Sequence, residues 1–386
     1  MDVKQGHRAG GWQKHDAAWR DPRQVSVLWN GAGDPDPALL QYKVRGAFWQ
    51  HLEQNRLTLL VTREYEHLVL ALSVVRGRPF ISHLPLPHPS GIAVDGKRIT
   101  IASTRSPNML VELSPATSAA RNGLPFLVPR RAHFLPGRLY IHDLAQIGPR
   151  LYANAVGMNS IIEIRNGQWK RVWWPRVLDQ HGNRAFDRNH LQLNSIAAGR
   201  NLESSFFTAS IADVGARKPG HRNFPVNGNG VIFSAKSRDV MARGLTRPHS
   251  ARLHAKKLWV LNSGYGTLDL IRDGSFDTVT QLPGWTRGLA FHKDLAFVGT
   301  SRVLPRFTSY APGLDPETSV CGLHAIDATT GRLLGSLTWP SGNQIFAIEA
   351  IPSATAAGFP FSGRASRRQM TDFFYDFQSS EDGDVE

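Results

Sequence analysis

Four histidines stand out by position. His88, His142, His190 and His249 each lie at or just before a short polar, small, apolar, small run, in His88-Pro89-Ser90-Gly91, His142-Asp143-Leu144-Ala145, His190-Leu191-Gln192-Leu193-Asn194 and Pro248-His249-Ser250. Converging neutral imidazoles are common ligands for Zn²⁺ and also suit Fe²⁺, with carboxylates completing the shell. Three ligands and an open position would make a bound water nucleophilic. His142 and His249 are the leading metal candidates, with His88 and His190 behind them, and Asp143 is a carboxylate that either enters the chemistry or orients an imidazole. Arg287, in Gly284-Trp285-Thr286-Arg287-Gly288, supplies a fixed cation that holds a carboxylate or phosphate or stabilises an oxyanion. Glu349 is the other nearby carboxylate, a general base or the ion-pair partner of Arg287. The expected catalytic group is Arg287, Asp143 and Glu349, and the expected substrate-binding group is His88, Ser90, Asn194, Trp285 and Gln344.

These residues can meet only if the chain returns to one place at intervals. It does: a polar residue precedes a small-apolar-small strand at Ser90, His142, Asn194, His249 and Arg287, and Phe346 takes that place in a sixth copy, at spacings of 52, 52, 55, 38 and 59 residues. Repeats of about 50 residues belong to propellers and solenoids. Each copy continues with a second β-rich run (98–102, 150–154, 205–209, 258–262, 295–299) and a third (109–113, 160–164, 230–233, 267–271, 322–326). Turns at Asn166-Gly167, Asp273-Gly274 and Thr330-Gly331 supply the positive φ of hairpins and lead to a fourth strand. Four short antiparallel strands form a propeller blade.

Residues 344–351 read as a first strand with nothing after it, and 57–84 as strands two to four with nothing before them. Joined, they make a sixth blade from both ends of the chain, which leaves no open sheet edge in the ring. The predicted fold is therefore all-β: a six-bladed β-propeller over 57–352, closed by strands from both termini. Apolar residues at near-helical spacing over 37–52 predict a short helix within an N-terminal segment, 25–56, packed on the propeller. Residues 1–24 read as a disordered tail, and 353–386 as a polar, acidic, disordered C-terminal tail carrying Phe373, Phe374, Tyr375 and Phe377.

The lead residues of the innermost strands ring the central channel, so function is expected at that opening. Loops 176–189, 211–229 and 302–320 are longer than blade turns require and are expected to set specificity, the last as a lid. Asn227-Gly228-Asn229-Gly230 has no following helix and is not a phosphate loop. The net charge of +14 favours anionic partners, but the basic residues are scattered and no nucleic-acid-binding signature accompanies them, so specific nucleic-acid recognition is not expected. A single cysteine, Cys321, excludes an intrachain disulfide. With no apolar leader and no membrane-length apolar run, the expectation is a cytoplasmic protein without a membrane span, and a closed ring predicts a monomer.

The segments 87–91, His142-Asp143-Leu144-Ala145, Asn189-His190-Leu191, Pro248-His249-Ser250, 258–264, Leu282-Pro283-Gly284 and 286–291 resemble those of an uncharacterised bacterial family of conserved hypothetical proteins. The likeness runs over roughly 25–352, implies a shared fold and site, and names no reaction. Ala347 stands where the family is expected to carry an acidic residue. Two functions remain open on the residues alone. One is a divalent-metal-dependent lyase or hydrolase acting on a small anionic molecule. The other is a non-catalytic propeller that binds a ligand or an unidentified protein partner and uses its histidines as caps on neighbouring blades.

Overall fold

The computed structural model describes residues 35–105, 108–116, 124–215, 217–221 and 223–360. Both the expected N-terminal tail and the acidic aromatic segment near the C-terminus lie outside the described residues. Six antiparallel sheets surround a channel. Their innermost strands are Pro89–Asp95, Ile141–Ile147, Leu193–Ala197, Pro248–His254, Trp285–His292 and Ala347–Pro352, for blades one to six. In blade six that strand pairs with Leu57–Arg63, from Leu57 opposite Pro352 to Thr62 opposite Ala347. Thr62 also links this closure to blade one, donating its hydroxyl to the carbonyl of Ser90 (2.7 Å).

The six inner strands align residue by residue, which explains the repeated sequence pattern. Two positions after each lead residue stands a buried apolar side chain, Ile92, Leu144, Ile196, Ala251, Leu289 or Ile348. One position further, four blades carry alanine (Ala93, Ala145, Ala197, Ala290), whereas blade four has Arg252 and blade six Glu349. The hydrophobic core is distributed between neighbouring sheets: Leu60, Ile92, Ile101 and Phe359 pack between blades six and one, and Trp173, Ile196, Phe207 and Phe233 between two and three.

The expected short helix is present and packs on the propeller, but its extent differs from 37–52. That segment divides into a 3-10 turn, Pro37–Leu40, an edge strand, Lys43–Gly46, and a helix, Phe48–Gln54. Gly46 has φ +66°, and a Cβ there would sit 2.6 Å from the carbonyl oxygen of Leu334, so the strand lies close on blade five and a continuous helix cannot pass through it. The strand covers the outer edge of blade five, and Phe48 and Leu52 of the helix are fully buried. The stretch 353–360 packs on the blades: Ser73 donates to Ala357 O (2.7 Å), Phe359 N donates to Ser82 Oγ (2.8 Å), and the Phe359 ring is buried. The polar tail expected from 353 therefore begins with packed residues.

Candidate anion site at the channel mouth

The mouth is built in two tiers. A second residue stands two positions before each lead residue, in blades one to four just ahead of the strand. The inner tier is Ser90, His142, Asn194, His249, Arg287 and Phe346. The outer tier is His88, Tyr140, Gln192, Arg247, Trp285 and Gln344. In blades one to four the outer-tier residue has positive φ (His88 46°, Tyr140 51°, Gln192 53°, Arg247 55°) although none is glycine. A left-handed backbone at four equivalent non-glycine positions is a strain that concentrates at sites where side-chain direction matters.

Arg247 and Arg287 dominate the electrostatics. Both are nearly buried, 7 % and 5 % exposed. Arg247 Nη1 donates to Ser210 Oγ (3.3 Å), and its guanidinium lies over Tyr310 and within 6.0 Å of the Trp285 ring centre. Arg287 Nη2 donates to His249 Nε2 (2.8 Å), and its guanidinium lies over Phe346 and Trp285. With the Gln344 amide oriented to satisfy both ends, Gln344 accepts from Arg287 Nη1 (2.7 Å) and donates to Glu64 Oε2 (2.9 Å). Among the described residues no carboxylate lies within ion-pair distance of either arginine. Burial, then the neighbouring Arg287, pushes Arg247 down to about 10, which still leaves it charged at neutral pH.

The imidazoles divide sharply. His249 Nε2 faces a guanidinium, which only donates, so that nitrogen accepts and Nδ1–H donates to Arg247 O (2.8 Å). Its lone pair is spent. Neither ring nitrogen of His142, 3 % exposed, meets hydrogen-bond geometry with a described residue, although the Asn194 side chain is near enough to raise its pKa. The ring stacks at 6.3 Å on His249 and meets Tyr140 and Phe346 edge-on. Burial, then Arg287 and Arg247, holds both imidazoles well below the usual histidine range. His88 lies one tier out against His67 (4.3 Å between ring centres), and burial followed by the charges of His67 and Arg105 lowers it to about 3.

His190 does not reach the mouth. Gln192 occupies its tier, and His190 Nε2 lies 3.2 Å from Arg184 O and 3.3 Å from Asp187 Oδ1, tying down the 176–189 insertion. Among the described residues no three His, Cys, Asp or Glu side chains are placed to hold a metal ion. With His190 elsewhere, His249 committed to Arg287 and the local field positive, the expected Zn or Fe ligands His142, His249, His190 and His88 do not fit a cation.

The expected catalytic trio also separates. Asp143 and Glu349 lie deeper, at the channel's waist, around Arg252. Asp143 Oδ2 accepts from Arg252 Nη1 and from Ile196 N, both at 3.0 Å, and Glu349 Oε1 lies 3.7 Å from Arg252 Nη2. Glu349 is thus the partner of Arg252 and not of Arg287. Burial pushes its carboxyl up to about 7, an effect that Arg252 opposes and Asp143 reinforces. Asn194 donates to Ser210 Oγ and Pro248 O, and the Ser90 hydroxyl has no partner among the described residues.

Sequence reasoning missed Tyr140, Arg247, Arg252 and Glu64. Stepping two residues back from each lead residue would have found the first two. Glu64 sits in a loop between strands, accepts from the Thr104 hydroxyl (2.5 Å) and lies 3.8 Å from Arg105 Nε. The 302–320 insertion lies against the mouth as expected, with Phe307 on Trp285 and Tyr310 on Arg247, and the Tyr310 hydroxyl accepts from Gly220 N of the 211–229 loop.

Residues 46–359 match a domain of unknown function, DUF4915. No curated protein matches the sequence. Among solved structures, a chain of the nidogen/laminin complex shares 13 % identity with a TM-score of 0.51, over 77 % of this chain and 99 % of that one. A gluconolactonase from Xanthomonas campestris shares 16 % identity with a TM-score of 0.39, over 66 % of this chain and 77 % of that one. At 13 % identity the first likeness is one of fold alone. Among the described residues no helix is long and apolar enough to cross a membrane.

Proposed function

The chain belongs to the DUF4915 family, and from its site we propose that it binds a small anionic molecule at the channel mouth and performs acid–base chemistry on it, as a hydrolase or lyase. The observation that carries this reading is the pair Arg247 and Arg287, both buried and neither in ion-pair contact with a carboxylate among the described residues. An unpaired buried charge costs several kcal/mol, a cost an anionic ligand offsets. Beside them stands His142, neutral, with neither ring nitrogen in hydrogen-bond geometry with a described residue and with Asn194 near enough to favour its protonated form. An anion in the mouth opposes the two guanidiniums and raises His142 toward the pKa of a working base.

In hydrolysis His142 takes a proton from water while the hydroxide adds to the substrate carbonyl. Arg287 or Arg247 stabilises the oxyanion, and the proton passes to the leaving group as its bond to carbon breaks. In elimination the same nitrogen removes a proton next to a carboxylate held by the arginines, and the leaving group departs with the electron pair. Neither route needs an added oxidant or reductant.

Calorimetric titration with a panel of small carboxylates and phosphates tests binding. Micromolar to millimolar binding by wild type, lost in Arg247→Met/Arg287→Met, is expected. Failure of every member to bind wild type overturns the reading. If anions bind but no ester, lactone or hydroxy acid in the same series turns over, only the non-catalytic half stands.

A further inference from the structure

The charge count at the mouth goes further than the sign of the ligand. Three guanidiniums, Arg105, Arg247 and Arg287, gather there with one carboxylate, Glu64. Arg105 lies 3.8 Å from Glu64, which also accepts from Thr104 and, through Gln344, is bridged to Arg287, so one carboxylate is shared between two of the three guanidiniums. The histidines add nothing, because His88, His142 and His249 are all held neutral. Among the described residues the mouth therefore carries two more positive charges than negative ones.

Those two charges come from different blades and lie near enough for Arg287 to lower Arg247. Arg247 belongs to the outer tier of blade four and Arg287 to the inner tier of blade five, and both lie over the ring of Trp285, at 6.0 and 5.3 Å from its centre. Each keeps an Nε–H that no described protein atom accepts. A single negative charge would leave one buried guanidinium uncompensated, the arrangement that costs most in a low-dielectric site.

Resting on the anion-binding reading above, we infer that the ligand is a dianion, a phosphate monoester or a dicarboxylate, with one negative charge for Arg247 and one for Arg287. The aromatic faces of Trp285, Tyr310 and Phe346 would pack the rest of a molecule of that kind. Phosphate and dicarboxylate share the required chemistry, and matched probes separate them.

At pH 8, calorimetry would compare phenyl phosphate with methyl phenyl phosphate, and malonate with monomethyl malonate, each pair differing by one charge. The dianion of at least one pair should bind 10- to 100-fold more tightly, as expected for a second charge-assisted contact in a buried site. In Arg247→Met that preference should fall to near unity, and in Arg247→Lys, which keeps the charge, it should survive with weaker binding of both. Unfolding curves would check that each variant is folded. Equal affinity within threefold for both members of both pairs in wild type, with binding intact, overturns the dianion and leaves the anion site standing. Failure of all four probes sinks the anion reading and this inference together.

Discussion

The mouth and the waist of the same channel solve the problem of buried charge in opposite ways. At the waist, Arg252 is shared by Asp143 and Glu349, and Asp143 also accepts the backbone N–H of Ile196 and of Leu144. Every strong donor there has an acceptor within the protein. At the mouth, Arg247 and Arg287 rest on aromatic rings, a serine, a glutamine and a neutral histidine, and His142 hydrogen-bonds to nothing described. A satisfied network rigidifies a fold, whereas unsatisfied groups of one sign are tolerated when something else completes them. The waist therefore reads as architecture and the mouth as a binding site, though both hold buried ionisable side chains.

The largest expected effect tests that contrast directly. Asp143→Ala strips the best partner from Arg252 and leaves the Ile196 N–H without its acceptor, so it should cost about 3–5 kcal/mol of stability, as breaking a buried pair does. Arg247→Met removes a buried charge without orphaning a carboxylate and should leave stability unchanged or raise it. Denaturant unfolding of both variants would decide the matter. Comparable losses in the two would mean that mouth and waist are alike.

Next in size is the pH response of the waist. Glu349 has a carboxyl raised from 4.5 to about 7, so the folded state holds its proton over a range where the unfolded chain has released it. Its contribution therefore favours folding below about pH 4.5 and is lost as the pH rises through about 7. About a quarter of the Glu349 side chain still meets solvent, which reduces the full linkage value. Glu349→Gln should thus gain about 1–2 kcal/mol relative to wild type between pH 5 and pH 8. The difference between the two proteins is the quantity to follow, because His324, lowered by burial to about 4, adds an opposite slope common to both. A difference flat with pH would show that Arg252 already holds Glu349 ionised.

Much of the architecture was legible because the inner strands repeat. The lead residues Ser90, His142, Asn194, His249, Arg287 and Phe346 fall in one tier, and the closure of blade six follows from strands missing at each end. The site was legible only in part, for reasons of geometry. Tyr140 and Arg247 stand just ahead of their strands with positive φ, and their contacts with His142 and Trp285 bring them to the mouth beside the lead residues. Grouping histidines by type instead brought in His190, which sits four residues before its lead residue and faces an insertion. Arg252 was visible as the one basic residue at a position that four blades fill with alanine. Glu64 and Arg105 sit in loops between second and third strands, where the repeat imposes no residue type, and only the folded chain brings them to Arg287. The short helix expected within 37–52 starts only at Phe48, because Gly46, with a left-handed backbone in contact with Leu334, suits an edge strand.

The smallest expected effect concerns His142 alone. Its ring is buried against Tyr140, His249 and Phe346, and neither nitrogen has a described partner. A buried polar atom without a hydrogen bond loses its hydration for nothing in return, so an apolar ring of similar shape should be better tolerated there. His142→Phe, measured at pH 8, should raise stability by about 0.5–1 kcal/mol. At that pH the imidazole is neutral in both folded and unfolded chains, so no proton-linked contribution enters the difference. Turnover of any substrate found for the site should be abolished in the same variant while anion binding persists, because Arg247 and Arg287 are untouched. A gain in stability with a loss of activity is the signature of a group kept for chemistry. A loss of more than about 1 kcal/mol would instead place His142 with Asp143, among the residues that hold the ring together.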